Sequence, residues 1–274
     1  MIYLKSEIGM HKVLLSLTEK MMDGCFAALP RHKPELTHIE CAQIIAHRGA
    51  HDNTRGIIEN THEAFRLARS VGCWGIELDV HATADDVLVV NHDLTLNRLW
   101  GHDVSIADLS FKELQGLESR IPSLVDVVSE YGKDMHLFIE LKSPFKAEGP
   151  LAETLQGLSP IHDFHLLALD APILDSLTQF PSDSLLLVAG HNNVNHFCEL
   201  SIRKHYGGVM GSYLLLTDKK RTKLSKANQV SGVGFVNSKN SLYRELNRGI
   251  NWIFTNQAVA VSQHLLQLRS GNLK

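Results

Sequence analysis

The chain has 274 residues, 44% of them hydrophobic, with a formal net charge of -3 and a pI near 6.6. That length suits one large domain, or a (β/α)₈ barrel of about 250 residues plus a short extension. The balanced charge argues against nucleic acid as a partner, and no apolar run is long enough to span a bilayer.

Residues 1–40 read as an N-terminal helical extension, and residues 41–274 as the catalytic domain. Leu14, Leu15, Leu17, Met21, Met22, Cys25 and Phe26 give a loose helical face over residues 11–29, which Pro30 and Pro34 end. The simplest expectation is a brace against the main domain. A homodimer contact or a membrane-surface helix are the alternatives. No signal peptide is read, because Glu19, Lys20 and Asp23 interrupt the apolar stretch. Cys25, Cys41, Cys73 and Cys198 form no CxxC pair and read as reduced thiols of a cytoplasmic protein.

From residue 42 onward, short apolar runs alternate with helical patterns. The runs are 43–46, 75–80, 137–141, 166–169, 185–189, 208–211, 233–236 and 252–254. Eight such runs, with no GxGxxG or P-loop pattern among them, favour a closed α/β barrel over an open doubly wound sheet. Asn60 and Glu63 form a capping pair for one crossover helix, and Gly72 suits its stop. Pro122 suits the start of a helix running to Tyr131, and Gly249 the end of one over 242–248. The run Val87–Val90 follows Val80 too closely for a parallel crossover, so it returns antiparallel. A two-residue turn at Asp85-Asp86 sets His92 opposite Asp79.

Chemistry-bearing residues cluster at the predicted strand ends. Glu77 and Asp79 share one strand face amid apolar neighbours, where two bare carboxylates repel and are costly to desolvate. A divalent cation resolves both costs, and salt bridges to Arg or Lys are the plainer alternative. Glu140, late in the strand His136–Leu141, offers a third hard oxygen ligand, and Lys142 shares its face. The plainer reading there is a Glu140–Lys142 pair. His47 and His92 suit proton transfer, and Arg48 suits a phosphate clamp. All-oxygen ligands admit Mg²⁺, Ca²⁺ or Mn²⁺. The remaining histidines show no metal-ligand spacing, though His81 alternates with Asp79 and reaches the same face.

This ordered set resembles the glycerophosphodiester phosphodiesterase family from His47 to about Asn256. The resemblance rests on His47-Arg48-Gly49, Glu59-Asn60-Thr61, Glu77-Leu78-Asp79-Val80, His92-Asp93 through Arg98, Ile121-Pro122-Ser123-Leu124 and Ile139-Glu140-Leu141-Lys142. It implies a TIM barrel of the phospholipase-C-like phosphodiesterase type. It also implies hydrolysis of a small-molecule glycerophosphodiester to glycerol 3-phosphate and an alcohol. Mg²⁺ or Ca²⁺ would be held by Glu77, Asp79 and Glu140, with acid/base roles for His47 and His92. Arg48 and Lys142 would face the phosphate, and Glu59 would touch metal or substrate. Ile58 stands where relatives carry Pro, and Asn256 where they often carry Asp. The rival activities are a lysophospholipase D, a lyase forming a cyclic phosphate, and a non-catalytic phosphodiester-binding barrel.

Overall fold

The computed structural model of the chain describes residues 21–190 and 192–271. Eight parallel strands close into a barrel: β1 (Gln43–His47), β2 (Gly75–Ala82), β4 (His136–Leu141), β5 (Phe164–Ala168), β6 (Leu185–Ala189), β7 (Gly208–Ser212), β8 (Val230–Gly234) and β9 (Trp252–Thr255). Pairing of β1 with both β2 and β9 completes the ring. A ninth strand, β3 (Leu88–Val90), is antiparallel to the end of β2. The strands are nearly continuous apolar runs because both faces are buried, one by the barrel interior and one by the helices. Period-2 alternation sorts the two sets. Ile44, Ile76, Leu78, Leu137, Ile139, Leu166 and Val209 belong to the outer core. Ile45, Phe138, Leu167, Leu186, Met210 and Phe254 form a second, inner cluster.

The expected strands 166–169 and 233–236 fall earlier in the chain, at Phe164–Ala168 and Val230–Gly234. Positive φ at Phe235 (67°) ends β8 there. The helix placed over 242–248 is Lys239–Asn247, starting behind the Ser238 cap, and Gly249 follows it at φ 69°. Helix Leu124–Tyr131 ends before Gly132 as expected, capped by Ser123 rather than opened by Pro122.

Two further expectations are corrected. The cap of helix His62–Ser70 is Thr61, whose hydroxyl accepts from Ala64 N–H. Asn60 is free for another task. In the β2–β3 hairpin Val80 pairs with Val90 and His81 with Val89. Asn91, not His92, therefore lies opposite Asp79, and its N–H donates to the Asp79 carbonyl at 3.0 Å. The cause is a three-residue turn. Thr83 closes on Val87 at 3.0 Å, and Asp86 takes the left-handed conformation, at φ 59°.

Residues 21–28 are helical and rest against the barrel, while the upstream part of the expected helix lies outside the described residues. Tyr213 OH bonds Asp23, and its ring meets Phe26 edge-on at 6.0 Å. Asn240 Nδ2 donates to Ala27 C=O at 2.6 Å. Among the described residues, no helix is long and apolar enough to cross a membrane.

The N-terminal end of the barrel is plugged by Trp74, Trp252, His136 and His165. His136 stacks on Trp74 at 4.5 Å. His165 Nδ1 donates to His136 Nε2 at 2.8 Å, and His136 Nδ1 donates to the His162 carbonyl at 3.0 Å. Burial holds both imidazoles neutral, lowering His136 to about 4 and His165 to about 3. The folded protein binds fewer protons there than the unfolded chain below an ordinary His pKa of about 6.5. Stability is therefore fully present above pH 6.5 and falls toward pH 4, by ~3 kcal/mol for a single shift of this size. Urea unfolding between pH 4 and 7 measures it. An unchanged midpoint across that window contradicts the assignment.

Candidate active site

The site lies at the C-terminal ends of the strands, where βα loops converge in this architecture. In register, His47 is beside Glu77 and Asp79 is beside Glu140, so three neighbouring strands deliver four functional side chains to one rim. One oxygen from each of Glu77, Asp79 and Glu140 lies within 4.8 Å of the others, and all three residues are buried. Glu77 Oε1 has no hydrogen-bond partner. Asp79 Oδ1 faces the Lys142 ammonium at 2.7 Å, and Lys142 also pairs with Glu140. Arg48 Nε stands 3.2 Å from Asp79 Oδ2.

This cluster is not evenly charged. Burial, and then the Asp79 charge, push the Glu77 carboxyl up to about 8. Burial and the two neighbouring carboxylates raise Glu140 as well, against the pull of Lys142. Burial also works to raise Asp79, but the Lys142 and Arg48 charges outweigh it and hold the group below the usual carboxylate range. Hard oxygen donors, an unpartnered buried oxygen and excess acidity make the trio fit a divalent cation.

The turn after β1 is built around two left-handed residues, Arg48 (φ 57°) and Gly49 (φ 78°). A Cβ on Gly49 would lie 2.8 Å from the Ala64 side chain, so only glycine allows the turn to press on helix His62–Ser70. The turn aims the Arg48 N–H at Glu77 Oε2, at 3.0 Å. Asn60, also left-handed at φ 59°, donates from Nδ2 to Asp79 Oδ2 at 2.8 Å and receives the Asp79 N–H at 3.4 Å. The asparagine expected to cap a helix thus fixes the central carboxylate.

Each candidate histidine has one ring nitrogen tied. His47 Nδ1 donates to Asn256 Oδ1 at 2.6 Å, leaving Nε2 3.7 Å from Glu77. His92 Nδ1 donates to Asp93 Oδ1 at 2.7 Å, and Asp93 is held in turn by Arg98. His81 Nε2 donates to the His92 carbonyl at 3.2 Å, anchoring the bend that carries His92. Burial lowers the pKa of His47 and of His92, with the Arg48 charge adding to it.

Glu59 is not one of the clustered carboxylates. It accepts from Arg48 at 3.0 Å and Arg98 at 2.6 Å, linking the two sides of the rim. Asn60, expected as a helix cap, is a site residue, and so are Asp93, Arg98 and Asn256, to which the sequence alone assigns no role. Asp93 and Arg98 were visible inside the shared motifs. Asn256 carried no local signal for a partner 209 residues away.

Fold and site define a TIM barrel with an acidic, cation-ready centre on its C-terminal rim. Residues 47–164 match the model of the glycerophosphoryl diester phosphodiesterase family. A glycerophosphodiester phosphodiesterase from Caldanaerobacter subterraneus subsp. tengcongensis is 38% identical over 112 residues, which is 36% of this chain and 45% of that protein. A human lysophospholipase D is 35% identical over 104 residues, 32% of each chain. The matches thus span less than half the length of these relatives. A glycerophosphodiester phosphodiesterase structure from Thermotoga maritima superposes with a TM-score of 0.68 at 26% identity, covering 80% of this chain and 96% of that one. An Oleispira antarctica phosphodiesterase, solved with its product sn-glycerol-3-phosphate, shares the fold at TM-score 0.67 and 21% identity, covering 81% and 96%. Over residues 47–164 the chain is thus similar to the glycerophosphodiester phosphodiesterase family, and its barrel is similar to solved structures of that family's members.

Proposed function

We propose that the protein hydrolyses glycerophosphodiesters to glycerol 3-phosphate and an alcohol, using Mg²⁺ or Ca²⁺ held by Glu77, Asp79 and Glu140. The observation that carries this reading is the buried carboxylate trio flanked by two histidines, each with Nδ1 tied and Nε2 free. A bound cation supplies charge stabilisation at the phosphoryl oxygens as the phosphorus becomes five-coordinate. Arg48 and Lys142, already directed at the trio, bind the phosphate and hold it against the carboxylates. His47 and His92 move the protons at Nε2, one taking a proton from the nucleophile and the other giving one to the departing alkoxide. Asn256 and Asp93 fix their tautomers. Glu59 holds Arg48 and Arg98 in place. The four unpaired cysteines accord with a cytoplasmic setting.

The direct experiment incubates the protein with glycerophosphocholine under Mg²⁺, Ca²⁺ or EDTA and measures glycerol 3-phosphate. Release that EDTA abolishes is expected. Release that EDTA leaves unchanged would sink the metal assignment, and no release with either ion would sink the activity.

A further inference from the structure

Arg98 joins the two halves of the rim through a single guanidinium. Its Nη2 donates to Glu59 Oε1 at 2.6 Å, and its Nε donates to Asp93 Oδ2. Each acceptor also holds a group assigned above to the reaction. Glu59 Oε1 receives Arg48 Nη1 at 3.0 Å, and Asp93 Oδ1 receives His92 Nδ1 at 2.7 Å. Arg98 thus stands one carboxylate away from the phosphate clamp and one carboxylate away from a proton-transferring imidazole, and hydrogen-bonds to neither.

The backbone beneath Arg98 is fixed by other contacts. It lies on the short helix Asn97–Trp100, which stops at Gly101 in the left-handed conformation, at φ 75°. Leu96, just before that helix, packs in a small separate core with Val89, Ile106, Leu114 and Ile121. Trp100 Nε1 donates to Asn91 Oδ1 at 3.0 Å, and Asn91 Nδ2 donates to the Asp93 carbonyl at 2.7 Å. The Arg98 side chain is 47% exposed, so its ion pairs add little to folding stability. What they supply is geometry.

The two arms have different consequences. Glu59 Oε1 divides its negative charge between two guanidiniums. Without Arg98 that oxygen is left to Arg48, and Glu59 competes more strongly with a phosphate for the clamp. Without Arg98 one Asp93 oxygen is unheld, so the carboxylate turns and no longer fixes the His92 ring. The first loss weakens substrate binding, and the second slows proton transfer.

We propose that Arg98 is a positioning residue that sets both halves of the site, acting on Arg48 through Glu59 and on His92 through Asp93. This rests on the hydrolysis proposed above.

The test is a pair of double-mutant cycles, read separately in KM and kcat for glycerophosphocholine with Mg²⁺ or Ca²⁺. Arg98→Gln should raise KM and lower kcat, each by about tenfold, with the melting temperature nearly unchanged. On a Glu59→Gln background it should no longer move KM, and on an Asp93→Asn background it should no longer move kcat. Ring-nitrogen NMR of His92 supplies a readout free of turnover. Arg98→Gln should shift that imidazole from the Nδ1–H tautomer toward a mixture of the two. Full-sized effects on both backgrounds, kinetics like those of the unaltered protein, or an unmoved His92 tautomer overturn the proposal while the hydrolysis stands. A fall in melting temperature that accounts for the lost activity overturns it too. No glycerol 3-phosphate from the unaltered protein overturns the hydrolysis, and the His92 tautomer then decides the role of Arg98.

Discussion

His92→Ala is expected to lower kcat by about 10²–10⁴-fold, the usual contribution of one positioned acid or base, with the melting temperature nearly unchanged. The side chain sits half-buried on the bend after β3, and its contact is with Asp93 rather than the core. Its loss therefore leaves the packing of β2 and β3 intact. His47→Ala should act similarly, because its Nδ1 partner Asn256 lies on the rim outside the strand cores. Steady-state kinetics and thermal melts on both variants check this. Near-normal turnover in the pair would remove the two histidines from the proton transfers. Asp93→Asn should cost less, since it changes the partner that orients His92 and not the ring that carries the proton.

The two carboxylates on β2 are expected to behave oppositely when neutralised. Glu77 is pushed up to about 8 by burial and by Asp79, so near pH 7 it is the carboxyl of β2 that carries a proton. Glu77→Gln closely mimics that protonated state. Without divalent cation its stability should match that of the unaltered protein within about 0.5 kcal/mol. The stabilisation gained on adding Mg²⁺ or Ca²⁺, which grows with cation concentration over Kd, should disappear along with turnover. Asp79 is instead the ionised counterion of Arg48 and Lys142 and is almost fully buried. Asp79→Asn removes the carboxylate that Arg48 and Lys142 share, leaving Arg48 to Glu59 and Lys142 to Glu140, and should cost about 1.5–3 kcal/mol even without cation. Calorimetry with and without cation separates the two. Equal stability losses in EDTA would refute this division of charge.

Much of the site was legible because its signals are local. Glu77 and Asp79 two apart on an apolar strand share a face, and Glu140 and Lys142 repeat the arrangement on the strand that pairs with it. Glu59 was legible as a site residue but not in its role, since only the fold brings Arg98 across to it. Asn60 was misread because asparagine before a helix suits both a cap and a left-handed turn, and the choice depended on Asp79, 19 residues away. The hairpin register failed by one residue. Turn length there is decided by Thr83 bonding back to Asp85 and Val87, a competition between side chain and backbone that alternation does not reveal.

The sequence by itself determined which side chains share a strand face, where the helices stop and which residue types gather at the strand ends, because period-2 alternation and turn chemistry act over a few residues. Only the tertiary structure decided who meets whom. Barrel closure sets β9 beside β1 and so brings Asn256 to His47. It also collects Leu167, Val188, Met210 and Phe235 from separate βα units into one apolar wall facing the carboxylates. Those contacts depend on strand order and stagger around a closed ring, which no window of neighbouring residues encodes.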